Sequence, residues 1–219
     1  MTVVYNANCS AANVSLPQIP PTEKARFLSS WSLNPEHPTV MCVSRLTVER
    51  DLGTLIRSLG LLRARGREVN ALIVGEGPEL RALDTMSTEY GISIAFVGSV
   101  YESEELDQLH AIADLTVLPG RAGLGVITSM ARGVPVVCSA ASDTNKQMPE
   151  AEAIEPGLSG DFFTAGDSHM LADLITKWLS DNALRESAAR HCLTTVRDRY
   201  NAEVQAALIQ DVIRRVCHA

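Results

Sequence analysis

The residues of this chain best suited to chemistry are arginines and glycines at the ends of apolar runs. Arg45 follows the run at 39–44, and Arg50 lies five residues on, in SRLTVERDL. Two guanidinium groups near a helix start can grip a diphosphate, because their planar fork of donors matches phosphate oxygens. Taken alone, each also reads as a solvated loop charge. Glycines mark the other run ends: Gly75 and Gly77 after 69–74, Gly98 after 92–97, and Gly120, Gly123 and Gly125 after 115–118. A missing Cβ lets a ligand approach the backbone, and free N–H groups at a helix start attract anions. Gly98 would let a flat base lie against the backbone near Val100. The Gly75–Gly77 turn is not a dinucleotide fingerprint, since Pro78 follows and the third glycine is missing. A single strand-ending glycine is common. Several along one edge point to a phosphate-bearing ligand.

Other chemistries find no support. There is no G-x-S-x-G elbow, no P-loop, no H-E-x-x-H and no Asp-x-Asp pair to hold a divalent metal. His37, His110, His169, His191 and His218 are dispersed, and His110 reads as a packing or surface residue rather than a base. Glu152 and Glu155, in EAIEPGLSG, could meet sugar hydroxyls or could cap and solvate a helix end; spacing does not separate the two.

Composition frames these residues. A chain of 219 residues, 46% hydrophobic, can bury one large core or two small ones. No apolar run approaches the ~18 residues of a membrane span. The N-terminus lacks the basic-then-apolar pattern of a secretory signal. Cys9, Cys42, Cys138, Cys192 and Cys217 are scattered and share no metal-type spacing, so they read as reduced thiols of a cytoplasmic protein. Cys42 and Cys138 fall inside strand patterns and read as small core residues. A net charge of −7 argues against a nucleic-acid surface.

The elements that must position the arginines and glycines alternate along the chain. Apolar runs at 39–44, 69–74, 92–97, 114–118 and 134–138 read as strands, with a weaker one at 161–163. Leu52, Leu55, Ile56, Leu59 and Leu62 recur at helical spacing. Further helices are expected from 79 to about 90, then at 102–111, 123–131, 168–179, 182–200 and 202–216. Strands alternating with helices imply an α/β fold with a doubly wound parallel sheet. Residues 1–38 break the rhythm and read as a hinge or linker, or an ornament on the domain edge, with a short strand in MTVVYNAN and a possible helix capped by Thr22.

From 40 to about 200 the chain resembles the C-terminal half of the family 4 glycosyltransferases, which have the GT-B fold. SRLTVERDLGTLI is similar to the family's G-R-L-x-x-x-K-G stretch, ALIVGEGPELRAL to its I-V-G-x-G-P turn and IAFVGSV to its F-x-G-x-V. LHAIADLTVLPG, MARGVPVV and EAIEPGLSGDFF follow in family order, similar to A-D-x-x-V-x-P, A-x-A-x-G-x-P-V-V and E-x-I-x-x-G-x-x-G. The P-G-x-x-G-L pattern resembles a variant branch.

The resemblance implies a single Rossmann-like domain at 39–200, followed by a C-terminal helix at 201–219 that normally packs back across both halves of the fold. It implies the donor half of a retaining, metal-independent hexosyltransferase acting on a nucleotide diphosphate sugar in polysaccharide or glycoconjugate synthesis. No cofactor is implied. Arg45 and Arg50 would bind the diphosphate and neutralise the leaving nucleotide, Arg50 standing where the family usually has lysine. Gly98 and Val100 would back the base. The 119–124 loop, with Gly120, Ala122, Gly123 and Leu124, would present backbone N–H groups to phosphates and sugar, alongside Gly75, Gly77 and Thr128. Gly120 and Thr128 replace two family glutamates, which leaves a non-catalytic nucleotide-diphosphate-binding module or a split-enzyme subunit as the alternative. MTVVYNAN resembles the crossover between the two GT-B domains, so an N-terminal acceptor domain is expected in cis or as a subunit, and the isolated chain is expected to be inactive. The apolar face of the last helix (Val204, Leu208, Val212, Val216) would be exposed or would mediate a homodimer. A cytoplasmic location is expected, peripheral to the inner membrane face in the full enzyme.

Overall fold

The computed structural model describes residues 16, 19–142 and 145–217. MTVVYNAN, Cys9 and His218 lie outside the described residues. The order is α1 (Pro21–Ser30), β1 (Thr39–Val43), α2 (Leu52–Ala64), β2 (Asn70–Val74), α3 (Leu80–Tyr90), β3 (Ile94–Gly98), α4 (Ser103–Ile112) and β4 (Leu115–Leu118). Then come α5 (Gly125–Met130), β5 (Val136–Ser139), β6 (Gly160–Phe163), α6 (Ser168–Ser180), α7 (Asn182–Arg199) and α8 (Ala202–Cys217). Short 3₁₀ turns occupy Val48–Arg50 and Pro149–Ala153.

The strands form one sheet in the order β3-β2-β1-β4-β5-β6, and every neighbouring pair is parallel. A sheet covered on both faces buries successive residues, which is why its strands read as apolar runs. All of β2 (NALIV) is buried. Alternate side chains serve opposite cores. Val40, Cys42, Ala71 and Ile73 join the larger core, with the stripe of α2 and with Ile175 and Trp178 of α6. Met41, Leu72 and Val74 join Leu28, Leu109 and Ile112 in the smaller core on the other face.

The smaller core takes in the helix expected within residues 1–38. Leu28 of α1 and Leu33 just after it are buried against β1 and β2, so α1 covers part of the sheet. Asn70, wholly buried at the start of β2, donates through Nδ2 to the Asn34 carbonyl at 2.7 Å and fixes the return from α1. Thr22 is not the N-cap: Pro20 is, with Pro21 in the first turn. Proline suits that position because its φ is already helical and it lacks an N–H that would go unpaired.

Two boundaries also shift. α5 begins at Gly125 rather than 123, because the preceding loop is held in other bonds. β5 begins at Val136 rather than 134, because Gly133 (φ +71) and Val134 donate back to Met130 and Ser129 and close the helix. No residue of α8 is buried, and Ile209, Ile213 and Val216 are exposed. Among the described residues no helix is long and apolar enough to cross a membrane.

Candidate functional site

The chain winds outward from β1 to β3, then returns to place β4 on the other side of β1. Loops leaving β1 and β4 therefore diverge in opposite directions, which opens a crevice outside their carboxyl ends. In open α/β sheets ligands bind at such a switch point. Arg45 and Arg50 lie in the loop after β1, and Gly120, Ala122, Gly123 and Leu124 in the loop after β4.

The two loops are joined. An Nη1–H of Arg50 donates to the Arg121 carbonyl. The Arg121 N–H donates to the Glu49 carbonyl at 3.1 Å. Gly120 is required at this seam: a Cβ there would lie 2.3 Å from the Glu49 carbonyl oxygen and 2.5 Å from the Arg50 carbonyl carbon. Arg50 is half-buried and thus fixed, whereas Arg45 is exposed. Both bear on Glu49. Its carboxyl is held below the usual carboxylate range by its own backbone N–H first, then by the Thr47 hydroxyl, with the Arg50 and Arg45 charges adding.

The sheet's other tips are drawn in through glycines. Gly75 has φ +136, and a Cβ there would sit 2.0 Å from the Ser44 carbonyl oxygen; one on Gly77 would sit 2.2 Å from that of Leu46. At these two positions the vacant space is filled by the β1 loop, so their missing side chains serve loop-on-loop packing. Gly98 and Gly123 differ. A Cβ on Gly98 would meet only Glu76 Oε1, at 3.8 Å, and one on Gly123 nothing within 4 Å. These are open backbone faces, Gly98 at the tip of β3 and Gly123 in the loop after β4. Val100 turns its side chain into the smaller core. Tyr101 is 90% exposed beside it, and the Ser99 N–H donates to Glu76 Oε1 at 3.4 Å.

The loop after β4 is held from below by a residue with no motif signature. Gln147, in the loop after β5, donates through Nε2 to the Gly120 carbonyl (2.9 Å) and the Ser139 carbonyl (2.8 Å). Its Oε1 accepts from the N–H of Ala122 (2.8 Å) and of Met148 (3.1 Å). The Ser139 hydroxyl adds a second bond to the Gly120 carbonyl at 2.9 Å, and Asn145 Nδ2 donates to that hydroxyl at 3.0 Å. The amides of Arg121 and Ala122 are thereby engaged. Those of Gly123 and Leu124 bond to none of the described residues. Thr128 is half-buried on α5, and its carbonyl accepts from Arg132 Nη1 at 3.0 Å.

Behind α5 the polar groups are structural. His110 is buried, with Nδ1 2.7 Å from the Leu106 carbonyl and Nε2 3.3 Å from the Ser129 hydroxyl. Burial holds its pKa down at about 4, against an ordinary 6.5. A neutral imidazole inside a hydrogen-bonded core matches the packing role read from sequence. Cys42 and Cys138 are buried thiols, pushed up by burial to about 11 and about 12. Glu155 pairs with His191 at 3.3 Å, and Glu152 is exposed. A groove of about 430 Å³ lies at the other end of the sheet, beside Asp114 and Gly133–Pro135, away from the arginines. Among the described residues no cluster of three or more His, Cys, Asp or Glu side chains could hold a metal ion.

Sequence reasoning thus named the loops that meet and missed what fixes them. Gln147, Ser139 and the Arg121 backbone carry no spacing signal, because each acts through bonds to a distant carbonyl or amide.

Residues 23–191 match the family model described as glycosyl transferases group 1. The chain is 30% identical over 167 residues to a GDP-mannose-dependent α-(1-6)-phosphatidylinositol monomannoside mannosyltransferase of Mycolicibacterium smegmatis, a match covering 70% of this chain and 43% of that protein. It is 23% identical to an α-D-kanosaminyltransferase of Streptomyces kanamyceticus, over 83% of this chain and 46% of that one. In fold it is similar to Anabaena Alr3699/HepE, solved in complex with UDP, with a TM-score of 0.77 at 21% identity over 99% of this chain and 57% of that one. The chain spans about half the length of these relatives.

Proposed function

Since the chain belongs to the group 1 glycosyl transferases, we propose that it is the donor-binding half of such an enzyme, holding a nucleotide diphosphate sugar at the β1/β4 crevice. The observation that carries this reading is the seam between the two loops. Arg50 is locked onto the Arg121 carbonyl, and Gly120 lets the backbones touch. A fixed guanidinium tied to a loop whose Gly123 and Leu124 amides bond to none of the described residues suits a diphosphate, which offers oxygens to both. Arg45 adds a second, exposed cation. A sugar transfer leaves negative charge on the departing nucleotide, and pre-placed cations stabilise that charge as it develops. In this reading the arginines, not a metal, carry that charge. Relatives named for GDP-mannose dependence, and a similar fold solved with UDP, support a nucleotide-linked donor. The base would rest on Gly98 and the Val100 backbone. Transfer with retention, and an acceptor bound by a further domain or subunit, complete the proposal.

Calorimetric titration of the chain with a panel of nucleoside diphosphates and nucleotide sugars tests it. Saturable binding of at least one diphosphate, much tighter than the matching nucleoside, is expected. No binding across the panel overturns the reading.

A further inference from the structure

We propose that Gln147 is the positioning residue of the donor loop: its single amide group sets the backbone of Gly120–Ala122 and so leaves the Gly123 and Leu124 amides turned out for the ligand. The inference rests on the donor-site reading above. It comes from a complementarity that only a primary amide satisfies. Two carbonyls, of Gly120 and Ser139, need donors at 2.9 and 2.8 Å; two amides, of Ala122 and Met148, need an acceptor at 2.8 and 3.1 Å. A carboxylate accepts only, an ammonium donates only, and a thioether does neither usefully. Gln147 is thus the common partner of the loop after β4, the end of β5 and its own loop.

The geometry also explains why the clamp falls here. The Gly120 carbonyl takes two donors, Gln147 Nε2 and the Ser139 hydroxyl, and so is pinned toward the sheet. With that peptide pinned and Ala122 tied down, the next amides that bond to none of the described residues are those of Gly123 and Leu124. The same pinning holds the Arg121 carbonyl where Arg50 reaches it.

Gln147→Glu is close to isosteric and sets a carboxylate against two carbonyl oxygens. Gln147→Met keeps the bulk and removes both functions. Each variant is compared with the wild-type chain by thermal unfolding, by amide hydrogen exchange at Ala122, and by titration with the nucleotide sugar that the wild type binds best in a panel. Both variants are expected to unfold in a single transition, to exchange Ala122 at least tenfold faster, and to bind at least tenfold more weakly. Binding by Gln147→Glu should recover on lowering the pH toward 5 relative to wild type at the same pH, because a protonated carboxyl regains one donor; Gln147→Met should not recover. Exchange and binding are read on the folded chain, well below each variant's unfolding transition, so they report the loop rather than global stability. Ala122 protection unchanged in both variants, or binding within twofold of wild type, overturns the proposal. A wild-type chain that binds no nucleotide sugar overturns the donor-site reading instead, while the exchange measurement still decides whether Gln147 sets the loop.

Discussion

Arg50 carries most of the proposed chemistry at the level of single residues, because it is the cation whose place is fixed. Hydrogen bonds to charged groups contribute roughly 1.5–3 kcal/mol. Arg50→Ala should therefore weaken nucleoside diphosphate binding roughly tenfold to a hundredfold, and should lower the unfolding midpoint modestly because the Arg121 carbonyl loses its donor. Arg50→Lys should recover part of the loss, since charge returns without the planar fork. Titration of both variants with the best-bound diphosphate is the check; equal affinities would remove Arg50 from the site. His110 gives a prediction of another kind. Its pKa is low when folded, about 4, against 6.5 ordinarily, and burial is the cause. Between these values the unfolded chain binds a proton that the folded chain refuses, so stability falls as pH drops from about 6.5 toward about 4. The loss from this group is on the order of 3 kcal/mol at its largest. His110→Gln has nothing to titrate there and should show a shallower decline. Denaturant unfolding of both proteins at pH 7 and about pH 4.5 isolates the difference, and parallel declines would assign the acid sensitivity elsewhere.

Loops, rather than strands or helices, set the site, and two of their glycines make opposite predictions. Gly120→Ala would press a methyl group 2.3 Å from the Glu49 carbonyl oxygen, on backbone atoms that cannot swing aside. Overpacking of this kind costs about 1–3 kcal/mol, and here it would also part the β1 and β4 loops. Both stability and nucleotide binding should fall. Gly123→Ala meets open space and should leave stability within about 0.5 kcal/mol, while the new methyl group would stand on the face offered to the ligand and reduce binding alone. Paired unfolding and titration measurements distinguish the two effects; a Gly123→Ala chain that binds normally would show that the ligand does not use that face. These loops also mark the border of what could be read in advance. Strand runs such as Asn70–Val74 were legible because burial on both faces demands continuous apolar residues. Arg50 and Gly120 were legible as types at strand ends. Their mutual contact was not, because it depends on which strands are neighbours, and Gln147 was not, because a polar residue in a polar loop shows nothing of the distant carbonyls it meets.

The molecule as a whole is a sheet between two cores, and the smaller one depends on a segment that composition alone would assign to a linker. Phe27, Leu28, Trp31 and Leu33 in residues 21–33 suggest a short helix but not which part of the sheet it would cover. What the sequence does not display is that Met41, Leu72 and Val74 face away from the larger core and need a cover. Leu28 supplies part of it and is 0% exposed. If α1 were an ornament, Leu28→Ala would be nearly silent. As a member of the core it should cost about 2–5 kcal/mol, a large share of the ~5–15 kcal/mol by which domains are stable. The loss should appear as one cooperative transition at lower denaturant with an unchanged slope, because α1 and the β1–β2 pair would unfold together. A separate early transition would instead make α1 its own unit. The distinction reaches the site: Met41 precedes Arg45 on the same strand and loop, so a loosened smaller core would be felt at β1 before any other tip. Leu28→Ala should thus weaken diphosphate binding near its unfolding midpoint yet leave it intact well below, which titration at two temperatures would show.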